Sequence, residues 1–90
     1  MKVKVENMRS PRTGNPVANQ FRIQVGSTRY FQSYTSIIVR ITPKKITLDR
    51  HYWDYSSTTS RYRNEFLGET TRETQRKIDS GEYRLADLNK

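Results

Sequence analysis

The 90-residue sequence contains no cysteine, and apolar residues make up only 32% of it. The lack of cysteine excludes disulfides and thiolate metal sites, and it fits a reducing compartment. No apolar run approaches the roughly 20 residues of a membrane-spanning helix, and the first residues lack the hydrophobic segment of a signal peptide. A chain this short forms one domain with a small core. We therefore expect a single soluble intracellular domain over residues 1–90 that makes no contact with membranes.

Acidic residues are scarce in the first half of the chain, which makes the charge distribution asymmetric. Residues 1–50 contain ten Lys or Arg and two acidic residues, whereas residues 51–90 contain seven of each. The whole formal charge of +8 therefore belongs to the first half. A basic face on a small domain attracts nucleic acid or an acidic protein surface, and salt weakens both contacts. The alternative is that surface charge only improves solubility.

The first half of the chain has the alternating pattern of β-strands. Strands are predicted over residues 2–6, 21–25, 29–34, 37–41 and 46–48. Gly26 and Ser27 suit a two-residue turn that joins the second and third strands in a hairpin. Residues 9–16 contain two prolines and a Gly-Asn pair, which predicts a flexible loop carrying Arg9 and Arg12. An antiparallel sheet of four to five strands follows from this pattern.

The second half of the chain carries the start and stop signals of helices. Residues 56–59 offer several N-cap hydroxyls, and Gly68 suits the left-handed position after a helix. Thr70 and Glu73 have the capping-box spacing, which predicts a second helix over about residues 71–80.

The predicted fold is an α+β domain in which one or two C-terminal helices cover one face of the sheet. Residues 1–48 form its basic sheet half, and residues 49–90 form a charge-neutral helical half with a docking tail. The tail, residues 83–88, regains apolar residues and is expected to pack back as a last strand or an irregular clasp.

Aligning the strands predicts one apolar and one basic face. The apolar face would comprise Val3, Val5, Phe21, Ile23, Val25, Phe31, Ile37, Val39, Ile41, Ile46 and Leu48. The basic face would carry Lys2, Lys4, Arg22, Gln24 and Arg40, joined by Tyr30 and Tyr34 if the strand register allows. Arginines interleaved with aromatics can bind phosphates and stack on bases, and they also form protein-binding surfaces. The candidate partner-binding residues are Lys2, Lys4, Arg9, Arg12, Arg22, Arg29, Tyr30, Tyr34, Arg40, Lys44 and Lys45.

Asp49, His51 and Asp54 form the one cluster that suggests catalysis or metal binding. No second histidine, cysteine or glycine-rich phosphate loop accompanies them. We therefore favour a structural interpretation, in which Asp49 closes a turn and His51 lies on the surface, over a small metal-dependent enzyme. No cofactor is expected.

The neighbouring Trp53 is expected in the core. In the first helix, Arg61 and Arg63 are predicted to form surface ion pairs with acidic neighbours such as Glu65.

Four segments resemble a family of small uncharacterised proteins encoded by bacteriophages and prophages of Gram-positive bacteria. They are NQF at 19–21, YFQSYTSII at 30–38, LDRHYWDYSSTTSRYRNEFLGE at 48–69 and IDSGEYRLADLN at 78–89. The resemblance implies a phage accessory protein that acts in the cytoplasm of an infected bacterial host. It assigns no catalytic residue.

Together, the charge and the resemblance suggest a non-enzymatic protein that binds nucleic acid or a host nucleoprotein complex. It would act as a counter-defence inhibitor in the manner of an anti-CRISPR protein. Its basic charge disfavours mimicry of DNA, which requires an acidic surface. The alternative is a general nucleic-acid-binding module that acts on the phage genome. An edge strand could also pair with a second copy to form a homodimer.

Overall fold

The computed structural model describes residues 2–90; Met1, which belongs to the predicted domain 1–90, lies outside them. The strands are β1 (Val3–Arg9), β2 (Pro16–Val25), β3 (Thr28–Ser33), β4 (Ser36–Ile41), β5 (Ile46–Asp49) and β6 (Tyr83–Ala86). The helices are α1 (Ser57–Leu67) and α2 (Thr71–Asp79), which lie between β5 and β6 in the chain. The predicted α+β class is confirmed, but the sheet in the described residues has six strands rather than four to five. Within residues 2–90, no helix is long and apolar enough to cross a membrane.

The six strands form one sheet in which the spatial order follows the chain order from β1 to β6. Neighbouring strands are antiparallel from β1 to β5, and β6 runs parallel to β5. A parallel pair needs a crossover connection, which α1 and α2 provide. The predicted docking tail is therefore an edge strand. Asn89, just beyond it, contacts both backbone groups of Ile37, accepting from its amide at 2.6 Å and donating to its carbonyl at 2.9 Å.

Both helices begin, and α1 ends, where local capping signals predicted. The Ser56 side chain accepts a hydrogen bond from the Thr59 amide, and Gly68 follows α1 with a left-handed φ of 70°. At the start of α2, Thr70 and Glu73 form the reciprocal capping box. These contacts satisfy amides that have no partner inside a helix, which explains why the boundaries are readable from sequence.

The hairpin turns set the register of the first strands. Gly26, with φ of 60°, and Ser27 form the predicted two-residue turn, so Val25 pairs with Thr28. The link between β1 and β2 is shorter than the predicted loop 9–16, because only residues 10–15 lie outside the strands. Within this link the Gly14 amide donates to the Ser10 carbonyl at 2.8 Å.

The core lies between the helices and the central strands. Phe31 of β3 is fully buried and stacks on Phe66 of α1, with ring centres 5.7 Å apart. Register shifts at Met8 in β1 and at Ile38 in β4 mark bulges, and both side chains are buried. The buried apolar residues are Met8, Phe31, Ile38, Val39, Leu48, Tyr62 and Tyr83.

The predicted division of the sheet into an apolar and a basic face is wrong for β1 and β2. The two-residue turn at Gly26 places Arg22 opposite Phe31, and Ile23 opposite Tyr30. Directly paired residues share a face of a sheet, so Arg22 lies on the face that α1 packs against, together with Phe31. We name this side the helix face and the other side the open face.

The pairing of β1 with β2 extends this division to the edge of the sheet. Lys4, Arg22 and Gln24 belong to the helix face, whereas Tyr30 and Arg40 share the open face. The apolar side chains expected in the core lie on the open face instead: Val3, Val5, Phe21, Ile23 and Val25. Val3 and Val5 remain 64% and 58% exposed.

Arg63 is fully buried in α1, which contradicts the predicted surface ion pair. Its guanidinium lies over the half-buried Trp53 ring, 5.0 Å from the ring centre, and donates to the Trp53 carbonyl. It also donates to the Asn64 and Thr71 side chains at 2.9 and 2.8 Å. Burial lowers the pKa of Arg63, although the hydrogen bond and charge of Asp54 oppose that shift. Arg63 thus joins the loop before α1 to the start of α2.

Candidate functional site

A basic groove runs along the helix face, between the uncovered part of β1 to β3 and the C-terminal half of α1. Three adjoining depressions form the groove. The middle depression shares Glu6 and Arg22 with one neighbour and Glu65 with the other. We define the basic groove by Lys4, Glu6, Arg9, Arg12, Arg22, Gln24, Arg29, Arg61, Glu65 and Phe66. The strands supply one wall, and α1 supplies the other.

Phe66 forms an aromatic floor that two arginines flank. The guanidinium carbons of Arg22 and Arg29 each lie 5.9 Å from the centre of the Phe66 ring. Phe66 is held in place because its ring stacks on the buried Phe31. Both arginines are exposed and point into the groove from neighbouring strands, which concentrates two positive charges beside a half-exposed ring.

Positive charge dominates the groove. Its six basic side chains, all exposed, face two carboxylates, Glu6 and Glu65. None of the ion pairs found among residues 2–90 involves these basic side chains. Arg9 donates to the Gly14 carbonyl at 2.9 Å and so fixes the adjacent link. Guanidinium groups bind phosphate oxygens through paired donors, and an aromatic ring can stack on a base. The groove therefore has the chemistry to hold a nucleic-acid backbone.

Five predicted partner-binding residues meet in this groove: Lys4, Arg9, Arg12, Arg22 and Arg29. The others lie elsewhere. Tyr30 and Arg40 lie on the open face. Lys44 and Lys45 occupy the turn between β4 and β5, at the opposite end of the sheet from the link 10–15. Lys2 precedes β1, and its carbonyl accepts from the Gly26 amide at 3.1 Å.

Tyr34 occupies the turn between β3 and β4 and is 53% exposed. Its φ of 56° is left-handed, a conformation that costs a non-glycine residue energy.

Two groove residues, Arg61 and Phe66, were not among the predicted partner-binding residues. Arg61 was expected to pair with Glu65, but no ion pair joins them in the described part of the chain. The half-exposed ring of Phe66 packs on Phe31 and forms the floor of the groove. The sequence contains no signal for this pair, because residues five apart lie about 140° apart around a helix. The docking angle of α1 decides which side chains reach the strands.

The cluster of Asp49, His51 and Asp54 does not converge on one point. Asp49 is buried and accepts from the amides of His51, Tyr52 and Leu88 at 3.1, 2.9 and 2.8 Å. Its carboxylate therefore closes the turn after β5 and ties the C-terminal segment to it. No group of three His, Asp or Glu side chains within residues 2–90 is arranged to hold a metal ion.

The other two members of this cluster contact different partners. Asp54 accepts from the Ser60 hydroxyl at 2.5 Å and lies 3.4 Å from the Arg63 guanidinium. His51 Nε2 lies 3.0 Å from Asp87 Oδ1, and the histidine side chain is 66% exposed. Both contacts stabilise the loop between β5 and α1.

The Glu69 side chain is only 4% exposed, and its carboxylate accepts hydrogen bonds from three side chains. It accepts from Lys77 Nζ at 2.8 Å, the Tyr83 hydroxyl at 2.7 Å and the Thr74 hydroxyl at 2.5 Å. Burial raises the pKa of Glu69, but these hydrogen bonds together outweigh burial and lower it below its ordinary value. Burial and the contact with Glu69 raise the pKa of Tyr83 to about 12. Glu69 thus fastens both helices to β6.

Fold and groove together define the class: a small α+β domain with a basic groove beside a six-stranded sheet. Residues 3–82 match a family of unknown function, DUF8033, and the chain belongs to that family. No curated protein and no solved structure matches the chain.

Proposed function

We propose that this protein is a non-enzymatic binding protein whose basic groove holds the sugar-phosphate backbone of a nucleic acid. The observation that carries the proposal is the pair Arg22 and Arg29, which flank the half-exposed Phe66 ring. Phosphates attract the guanidinium groups, and the ring offers a stacking surface for a base of a single-stranded segment. The groove cations, which form no ion pair with another residue of the described chain, support this, because a ligand need not break an ion pair to reach them.

We further propose a phage setting, on the strength of the sequence resemblance. In that setting the protein acts in the cytoplasm of an infected bacterial host as a counter-defence inhibitor. It competes for the guide or target nucleic acid of a host nucleoprotein complex, as an anti-CRISPR protein does. The alternative is a general module that coats the phage genome, which would use the same groove without needing a host complex.

The first experiment measures binding of random single-stranded and duplex oligonucleotides by fluorescence anisotropy across a salt series. The double variant Arg22→Glu/Arg29→Glu should bind at least about tenfold more weakly than the wild type, because two phosphate contacts become repulsive. The slope of log affinity against log salt concentration should also become shallower by about two. The matched control is Arg76→Glu/Arg84→Glu, which changes the net charge equally on the exposed surface of α2 and β6.

Equal weakening by both double variants would reduce the effect to overall charge and would refute a specific groove. Absence of wild-type binding to any oligonucleotide, even at low salt, would refute binding of free nucleic acid. A plating assay on bacteria with an active nucleic-acid-targeting defence then separates the two settings. Counter-defence predicts that the wild type restores phage plating and the groove variant does not. If plating is unaffected while binding to free nucleic acid persists, the genome-binding alternative holds.

A further inference from the structure

β1 is an edge strand with an unusual exposed sequence. Within residues 2–90 it has a neighbour on one side only, β2. Two valines on its open face, Val3 and Val5, are 64% and 58% exposed, and charged residues alternate with them. An edge strand presents unpaired backbone donors and acceptors, which another strand can use.

The backbone of β1 shows which residues could pair outward. The Lys2 carbonyl accepts from Gly26, so the backbone groups of Lys2 point toward β2. These directions alternate along an antiparallel strand, so the backbone groups of Lys4 and Glu6 also point toward β2. Those of Val3, Val5 and Asn7 point away from it and form the free edge.

We propose that a second copy of this chain pairs antiparallel along β1, with the two-fold axis at Val5. In this register Lys4 lies opposite Glu6 of the other copy, and the symmetry produces that pair twice. Pairing centred on Lys4 or on Glu6 would place like charges directly opposite, and pairing centred on Val3 would set Lys2 against Lys4. Opposite charges stabilise directly facing positions, and like charges destabilise them. Of the registers centred on residues 3 to 6, the charge order of β1 therefore favours the one centred on Val5.

The remaining geometry agrees with that register. Val5 faces Val5 of the other copy as a hydrogen-bonded pair, and Val3 faces Asn7, so all the outward backbone groups of residues 3–7 find partners. The lysine–glutamate pairs fall at positions without mutual backbone bonds, where side chains approach most closely. On the open face, the row from Ile23 through Val5 continues into the other copy and covers the exposed valines.

The pairing has a consequence for the basic groove. A two-fold axis perpendicular to the sheet leaves both helix layers on the same side, so the two grooves face one another across β1. The dimer itself does not depend on the proposed function. We also expect two facing grooves to contact a longer stretch of nucleic-acid backbone than one groove can. This expectation does rest on the proposed function.

Single cysteines test the register in a chain that has no cysteine of its own. Val5→Cys places the two thiols opposite one another, at about 5.5 Å between Cα atoms, a separation that a disulfide spans. Val3→Cys is the matched control, on the same strand and face but about 13 Å from its counterpart in this register. Mild oxidation should give a covalent dimer of Val5→Cys and none of Val3→Cys. The reverse outcome, or no cross-link from either, would overturn the proposal.

Exchanging the charges of Lys4 and Glu6 tests the lysine–glutamate pairs of the proposed dimer. Self-association of each variant is measured by sedimentation equilibrium in the absence of nucleic acid. Lys4→Glu and Glu6→Lys should each weaken self-association about tenfold, and the double exchange should restore it. An equimolar mixture of the two single variants should form a heterodimer, because each then supplies the opposite charge. Circular dichroism checks that every variant is folded. The proposal fails if the wild type stays monomeric up to about 1 mM, the weak end of specific association. It also fails if the double exchange does not restore dimerisation.

Discussion

Replacing the buried Arg63 with alanine should cost about 3 kcal/mol of unfolding free energy. The change removes charge-assisted hydrogen bonds, which contribute roughly 1.5–3 kcal/mol each, and leaves the Trp53 carbonyl and the Thr71 hydroxyl without that donor. Breaking a buried ion pair costs roughly 3–5 kcal/mol of unfolding free energy. The expected loss lies at the lower end of this range because the charged partner, Asp54, is 48% exposed and can be solvated. A domain of this size has a total stability of only about 5–15 kcal/mol, so the variant should unfold readily.

Arg63→Lys sharpens this prediction because it keeps the charge and loses the forked donor. One terminal nitrogen of Arg63 serves Trp53 while the other serves Thr71, and a single ammonium group cannot reproduce both contacts. We expect a loss of about half that of the alanine variant. The assay is urea unfolding followed by the fluorescence of Trp53, the only tryptophan in the chain. The control is Arg61→Ala, an exposed site that should change stability by about 0.5 kcal/mol or less. The reasoning is refuted if Arg63→Ala costs no more than this control.

Three further predictions concern stability. Asp49→Ala should lower the free energy of unfolding, measured in urea, by about 2–4 kcal/mol, because three backbone amides of a buried turn lose their acceptor. A loss no larger than that of an exposed substitution would contradict the role of Asp49 in closing this turn. Because the pKa of Glu69 is lowered in the fold, its contribution to stability is present above its ordinary pKa of 4.5 and is lost as the pH falls below it. Glu69→Gln should therefore flatten the acid limb of a pH–stability profile, which the exposed Glu65→Gln should leave unchanged. Tyr34→Gly should raise the melting temperature by relieving a left-handed conformation, a net gain of about 0.5–1 kcal/mol; a lower melting temperature would show that the tyrosine ring contributes more than the strain.

The elements that sequence predicted well are those specified by neighbouring residues. Both ends of α1 and the start of α2 follow from Ser56, Gly68 and the Thr70–Glu73 capping box, each of which acts within one helical turn. The Gly26 turn likewise depends on two adjacent residues.

The faces of β1 and β2 were predicted wrongly because alternation specifies which residues share a face but not which face is covered. The predicted turn at Gly26 already implies that Arg22 lies opposite Phe31, which is incompatible with placing Phe31 and Ile23 on one side. The turn at Gly26 therefore specifies the register of β2 and β3.

The groove was only partly predictable. Its strand residues stand out as scattered positive charge, but their convergence depends on the register and on how α1 docks. The bulge that turns Met8 inward and the burial of Arg63 are set by tertiary packing, for which the local pattern contains no signal. The six-stranded sheet likewise required β6 to return across two helices, a pairing distant in sequence.

We propose that the basic groove, and not the open face, binds nucleic acid. The most direct measurement is amide chemical-shift mapping by NMR during titration with a short single-stranded oligonucleotide at low salt. The account predicts that the largest shifts fall on the groove strands around Arg22 and Arg29 and on α1 around Phe66. Shifts centred on Tyr30, Arg40 and Arg84 of the open face, or no shifts at all, would contradict it.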